Sequence, residues 1–156
     1  MLGVVRIGVI SDTHGLLRPE ALAALAGVEH ILHAGDVGDA KILDALRAIA
    51  PVTAIRGNVD TCGSCATLPA TEMVELGGCL ITMLHSIDDL DLSPKAAGVR
   101  MVVYGHSHQA SAEERDGVLY LNPGSAGPRR FSLPVTVARV QINSGRPSAE
   151  IVELLV

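Results

Sequence analysis

Aromatic residues are nearly missing from this chain of 156 residues: Tyr104, Tyr120 and Phe131 are the whole set, and there is no tryptophan. Three rings give nucleic-acid bases no stacking platform, and 12 Lys plus Arg against 17 Asp plus Glu leave a formal charge of −5. A general nucleic-acid binder is therefore disfavoured, and any affinity for phosphate must be local. Cysteine is scarce and odd in number. Cys62, Cys65 and Cys79 make no complete disulfide framework and suit reduced thiols in a cytoplasmic protein. No uncharged apolar run reaches the length of about 18 residues that a membrane span needs. The apolar start is interrupted by Arg6 and runs into Ser11-Asp12-Thr13-His14 with no small-residue cleavage site, which reads as a buried strand rather than a signal peptide. Also absent are Gly-x-x-x-x-Gly-Lys, Gly-x-Gly-x-x-Gly and Gly-x-Ser-x-Gly, so NTPase, dehydrogenase and serine-hydrolase readings lose support.

What the chain does have is apolar bulk, 48% of residues with only 19% charged. That is enough to fill one core, and the length suits a single domain over residues 1–156. Val4 to Ile10 is a β-branched run, and Leu17 to Val28 has helical spacing with Pro19 near its start. A strand over His30 to Ala34, a helix over Ala40 to Ala50 and a strand over Val52 to Ile55 complete a β-α-β-α-β opening whose short crossovers imply parallel strands. Beyond residue 70 hairpins take over. Met73 to Leu76 and Leu80 to Leu84 flank Gly77-Gly78, Asp116-Gly117 turns into Val118 to Leu121, and Val135 to Ile142 and Ala149 to Leu154 flank Ser144-Gly145-Arg146-Pro147. A short helix near Ser93 to Ala97 precedes a strand over Met101 to Tyr104. The reading is an α/β chain with an antiparallel second half.

Each expected strand ends in a polar cluster, and ligands of open α/β sheets gather at those carboxyl ends. The clusters are Asp12-x-His14, Gly35-Asp36-x-x-Asp39, Gly57-Asn58-x-Asp60, His85 and Gly105-His106-Ser107-His108. Singly, each is a helix cap or a turn. Five of them at positions that one topology brings to one edge are not. With Asp39 and Asp60 set aside, they offer two carboxylates, four imidazoles and one amide oxygen, a mixture that suits Mn, Fe, Zn, Co or Ni and is too nitrogen-rich for magnesium or calcium. Seven ligands exceed the needs of one ion, so two ions sharing a carboxylate, best Asp36, are expected.

These motifs, in this order, resemble those of the calcineurin-like metallophosphoesterases: D-x-H, G-D-x-x-D, G-N-x-[DE], H and G-H-x-H. The likeness runs from Asp12 to His108, and the compact length with Asn122-Pro123-Gly124-Ser125 is similar to the small prokaryotic phosphodiesterase branch. The resemblance implies a two-sheet sandwich with mixed parallel and antiparallel strands and flanking helices, in α-β-β-α layers. It implies that Asp12, His14, Asp36 and His108 hold one ion and that Asp36, Asn58, His85 and His106 hold the other. Manganese is the first choice, with Ni, Fe, Zn or Co as substitutes. Two dications outweigh the two aspartates and make an electropositive spot where a small phosphate ester should bind. A hydroxide bridging the ions would attack phosphorus directly, with Asp36 and His106 counted as catalytic. A non-catalytic scaffold of the same fold, like a subunit of the eukaryotic retromer complex, is the rival reading, and a single-metal esterase or regulator is another.

The chain departs from the family pattern at two positions. Val59 stands where the family often has His, which removes a proton donor for the leaving group, and Ser86 stands where Gly is usual. Asp39, Asp60 and His33 are candidates to support the ligands from behind, with capping, surface placement and a core histidine as their ordinary alternatives. Arg129 is a candidate phosphate clamp, while Arg130 and Arg56 have the same two readings, substrate contact or solvated surface. Exposed hairpin edges and the apolar stretch Ile151 to Val156 invite a homodimer.

Overall fold

The computed structural model describes residues 3–156. β1 (Val4–Ile10) is the middle strand of the first sheet, and its last four residues are buried, as an uninterrupted apolar strand covered on both faces must be. β2 (His30–His33) and β3 (Val52–Ala54) lie parallel to it on one side, reached through α1 (Pro19–Ala24) and α2 (Ala40–Arg47). On the other side β9 (Thr136–Asn143) pairs antiparallel with β1, and β10 (Arg146–Glu153) forms the edge. The second sheet contains β4 (Thr71–Leu76), β5 (Cys79–Leu84), β6 (Met101–Val103), β7 (Ser111–Arg115) and β8 (Val118–Asn122) in the order β4-β5-β6-β8-β7. The three two-residue hairpin turns, Gly77-Gly78, Asp116-Gly117 and Ser144-Gly145, have positive φ at both positions, the turn type whose twist matches that of paired strands.

Ile7, Val9 and Leu32 from the first sheet meet Ile81, Met83 and Met101 from the second in a fully buried layer between the sheets. The outer face of the first sheet carries α1 and α2, where Leu25, Leu43 and Leu46 pack on Ile10 and Ile31. Over the second sheet the cover is thin: Ile87 and Leu90 lie on Leu84, Val99, Val102 and Val118. The result is the mixed two-sheet sandwich that the motifs imply, with its helices concentrated on one side.

Three details differ from expectation. The helix read over Leu17 to Val28 is confined to Pro19–Ala24, because Arg18 is extended ahead of Pro19 and Gly27, at φ 81°, turns the chain into β2. At Ser93 to Ala97 there is a single turn, closed by a 3.0 Å bond from Ala97 N–H to the Ser93 carbonyl, too short to propagate past its own nucleus. The second half is not wholly antiparallel, since β5, β6 and β8 run parallel. The segment before β6 carries the chain back along the sheet, and β7 does the same between β6 and β8, joining β8 through the Asp116-Gly117 hairpin.

His33 closes β2 and is completely buried. Its Nδ1 accepts the Gly35 N–H at 3.1 Å, so the ring proton belongs on Nε2, 3.0 Å from Thr13 Oγ1. The Thr13 hydroxyl in turn donates to the Val37 carbonyl at 2.9 Å. Both ring nitrogens are used only when the ring is neutral, and burial holds its pKa down at about 4 against the opposing charge of Asp60. The neutral ring therefore stabilises the fold fully above its unperturbed value of about 6.5. That contribution is lost as pH falls through about 4, because the unfolded chain takes up the proton first, at no more than about 1.4 kcal/mol per pH unit. Urea unfolding midpoints at several pH values between 7 and 4 should fall more steeply for the wild type than for His33→Gln. Parallel profiles would contradict this assignment.

Candidate metal centre

Backbone bonds zip the loops beyond β1 and β2 together. Asp12 N–H donates to the Gly35 carbonyl at 3.0 Å, His14 N–H to that of Asp36 at 2.9 Å, and Gly15 N–H to that of Val37 at 2.9 Å. This register places Asp12 beside Asp36, both buried. The Asp12 carboxylate spends Oδ2 on the Ser11 hydroxyl at 2.7 Å and the His106 N–H at 3.2 Å. Its Oδ1 is buried and has no donor. Asp36 behaves alike: Oδ1 accepts the Val59 N–H at 3.0 Å, while Oδ2 lies 3.5 Å from His14 Nε2 and 3.2 Å from His85 Nε2.

The second sheet supplies the remaining imidazoles. Gly105 N–H donates to the His85 carbonyl at 2.9 Å, which joins the ends of β5 and β6. His85 Nδ1 donates to the Ala34 carbonyl at 2.8 Å, so its other nitrogen faces the two aspartates, a support that fixes the orientation of a ligating imidazole. His108 Nε2 lies 3.4 Å from Asp12 Oδ1, the oxygen that also sits 3.6 Å from His14 Nε2 and 3.8 Å from His85 Nε2. The His14 and His108 rings are 5.2 Å apart, and the exposed His106 ring meets that of His85 edge-on at 5.2 Å. Donor atoms within 4.8 Å of one another form two groups, Asp12 with His14 and His108, and Asp12 with Asp36 and His85. Asp12, not Asp36, is the residue common to both groups, while Asp36 Oδ2 lies near His14 as well as His85.

The Asn58 side-chain amide lies 3.1 Å from Asp36 Oδ2 and from His85 Nε2 and 3.2 Å from Asp36 Oδ1, where its NH2 can donate to all three and its oxygen would face an ion. The buried Asp12 Oδ1, His14 Nε2 and His108 Nδ1 have no hydrogen-bond partner. The residues present therefore fit divalent metal binding, and the mixed N and O donors suit the transition series.

Protonation follows the same geometry. Burial raises the Asp36 pKa, but the His85 hydrogen bond, the Val59 N–H and the nearby imidazoles outweigh it and bring the group down to about 2. Asp12 is pushed upward, chiefly by burial, because the Ser11 hydroxyl and the charges of His85 and His108 only partly compensate. His85 is raised: its burial is outweighed by Asp36, the Ala34 carbonyl and Asp12. His108 is lowered by burial, and the positive charge of Arg130 works in the same direction.

Backbone strain is concentrated in these loops. Asp12, His14, Asp36, His106 and His108 all have φ between 47° and 72°, the left-handed region, uncommon for residues other than glycine. Two glycines permit the close approach: a Cβ on Gly57 would land on Asp36 Oδ1, and one on Gly105 would land on Ser11 Oγ and Asp12 Oδ2.

The supporting candidates divide. Asp60 is buried and accepts three backbone N–H groups, from Val37 at 3.1 Å, Gly38 at 3.0 Å and Gly57 at 2.9 Å. It clamps the Asp36 loop to the Asn58 loop, so its surface reading is wrong. His33 supports the same Asp36 loop through Thr13 and Gly35. Asp39 instead caps α2 by accepting the Lys41 N–H at 2.9 Å, and has no contact that orients a ligand. The exposed Arg129 guanidinium donates to the carbonyls of Leu133 at 3.4 Å and Val156 at 3.3 Å. Cys62 is exposed and Cys65 buried, and both are free thiols. Sequence reasoning assigned no role to Ser11, Thr13 or Ser125. The first two interleave with Asp12 and His14, while Ser125 Oγ holds the Asp12 carbonyl at 3.1 Å.

Comparison with known proteins bears on this arrangement directly. The calcineurin-like phosphoesterase superfamily domain matches residues 5–145. A probable metallophosphoesterase of Methanocaldococcus jannaschii is 36% identical over 136 residues, covering 79% of this chain and 69% of its own. Among solved structures, an archaeal phosphodiesterase shares 24% identity at a TM-score of 0.78, over 95% of this chain and all of that one. Vacuolar Protein Sorting 29 from Cryptosporidium parvum shares 18% at 0.74, over 97% and 98%. These two structures, at such identities, speak for the fold alone. The match across residues 5–145 takes in every loop that meets around Asp12 and Asp36, and it makes this chain a member of the calcineurin-like phosphoesterase superfamily.

Proposed function

We propose that the protein is a phosphodiesterase with two divalent metal ions, acting on a small phosphate diester by direct attack of water, without a covalent enzyme intermediate. The observation that carries the reading is the pair of donor groups that share Asp12, with buried ligand atoms that have no hydrogen-bond partner. Asp12, His14, Asp36 and His108 would hold one ion, and Asp36, Asn58, His85 and His106 the other. Ions at these positions, manganese first and nickel, iron, zinc or cobalt as alternatives, would supply Lewis acidity to the phosphoryl oxygens and lower the pKa of the attacking water. The chain's own contribution is orientation. Ser11 and the His106 N–H hold Asp12, Val59 N–H holds Asp36, and the Ala34 carbonyl holds His85. Preference for a diester is part of the proposal; an archaeal phosphodiesterase shares this fold, and that likeness carries the fold alone. The scaffold reading gains no observation from the likeness to the sorting protein, which is one of fold. Against it, all seven proposed ligand positions retain a side chain able to bind metal.

Titrating apo-protein with Mn²⁺ should give two equivalents bound and hydrolysis of bis-p-nitrophenyl phosphate. Tight binding without turnover would favour the scaffold, and a single equivalent would remove the binuclear centre. In Asp36→Asn, at least one equivalent should be lost and turnover should fall by a factor of about a hundred or more. Near-normal metal content and kinetics there would refute the bridging role. Val59, 43% exposed beside Asn58, cannot protonate a leaving alkoxide. Diesters with p-nitrophenolate leaving groups should therefore react much faster than alkyl diesters, and equal rates on the two would show that a proton donor exists elsewhere.

A further inference from the structure

A cleft of about 410 Å³ opens against the Asn58, His85 and His106 half of the centre. Arg56, Thr71, Ser86 and Asp89 are the other polar side chains of its wall. Ser86, whose orientation was open from the sequence, thus faces the place where one substituent of a bound phosphate must lie. The volume is sufficient for a small organic group.

Arg56 is the cation of this cleft, and it is held in place. Its N–H donates to the Pro69 carbonyl at 2.9 Å, and one guanidinium nitrogen donates to the Leu68 carbonyl at 2.6 Å. A guanidinium has five N–H donors in a fixed fork, so this single bond leaves most of them free. Among the described residues, the arginines that form ion pairs are Arg47, with Asp44, and Arg115, with Glu113. Asp89 shares the cleft with Arg56 without pairing to it. Arg56 is exposed and, like most of the chain's arginines, forms no ion pair among the described residues; what sets it apart is its place on the cleft wall beside Asn58, His85 and His106. Planar bidentate recognition of phosphate is what the guanidinium does best.

We propose that Arg56 binds a second anionic group of the substrate, carried by the substituent that enters the cleft while the scissile phosphate rests on the metal centre. This rests on the phosphodiesterase reading. The substrate class is then a diester whose cleft-side alcohol is itself phosphorylated, with Ser86 and Asp89 placed to meet hydroxyl groups between the two phosphates. Arg56 acts as a specificity residue and takes no part in the chemical step.

The test compares two ligands that differ only by the second phosphate, propane-1,3-diol bisphosphate and propyl phosphate, binding to Mn²⁺-loaded protein in a calorimeter. Wild type should bind the bisphosphate about tenfold more tightly, the increment of a charge-assisted bidentate contact. In Arg56→Gln that advantage should vanish while the affinity for propyl phosphate stays the same, and Arg56→Lys should recover part of it. Equal affinities in wild type, or an advantage that survives in Arg56→Gln, would overturn the proposal. A matching loss for both ligands would do so too, since it would mark Arg56 as a structural tie to Leu68. Arg56-dependent bisphosphate binding with no hydrolysis of any diester would sink the proposed activity and leave the second-anion site standing.

Discussion

Asp12 and Asp36 lie side by side in the interior, and two neighbouring carboxylates there repel each other unless a cation or a proton comes between them. The chain commits one oxygen of each to its own donors and leaves the other facing histidines. Repulsion and burial then act unequally: Asp36 stays ionised with a pKa of about 2, while Asp12 is driven upward. A dication held by Asp12 and Asp36 would relieve the repulsion and would partner the orphaned ligand atoms at once. The polar core is therefore organised for a charge that the polypeptide does not itself provide.

Holding such a cluster requires loops that the polypeptide would not choose unaided. Each non-glycine residue in the left-handed region costs about 1 kcal/mol, and five of the proposed ligands sit there. The opposing contributions come from neighbours whose sole business is backbone. The Asp60 carboxylate collects three N–H groups from two loops, the neutral His33 ring spans Thr13 and Gly35, and Ser125 reaches across to the Asp12 carbonyl. Strain at the ligands and rigidity behind them are two sides of one arrangement, because αL residues stay in place only where their surroundings over-determine them.

Much of this was legible in the sequence because strand ends and short motifs are local signals. The first three clusters follow β1, β2 and β3, and an apolar run that stops at Asp-x-His or Gly-Asp shows both the strand and its cargo. Asp60 was not legible in the same way: its partners Val37 and Gly38 are more than 20 residues distant, and a carboxylate in a loop looks the same whether it clamps two backbones or faces water. Arg129 and Arg130 illustrate a second limit. They are adjacent, yet one donates to the Val156 carbonyl and the other acts on His108, and only the course of the turn decides which is which. The helix expected near Ser93 to Ala97 fails for a third reason, since so short a segment cannot offset its own nucleation cost.

The strand directions of the second sheet, which periodicity did not reveal, turn out to be what assembles the centre. Alternation of apolar residues fixes which face a strand buries, but it is the same whether the chain runs up or down. Were β5 and β6 antiparallel, His85 and Gly105-His106 would leave opposite ends of the sheet, separated by the length of a three-residue strand, about 10 Å. Parallel pairing puts both exits at one end, where Gly105 N–H bonds to the His85 carbonyl and His106 N–H reaches Asp12 in the other sheet. The crossover from β5 to β6 is thus the topological condition for a cluster with donors from both sheets, and a hairpin in its place would leave the aspartates with half their imidazoles.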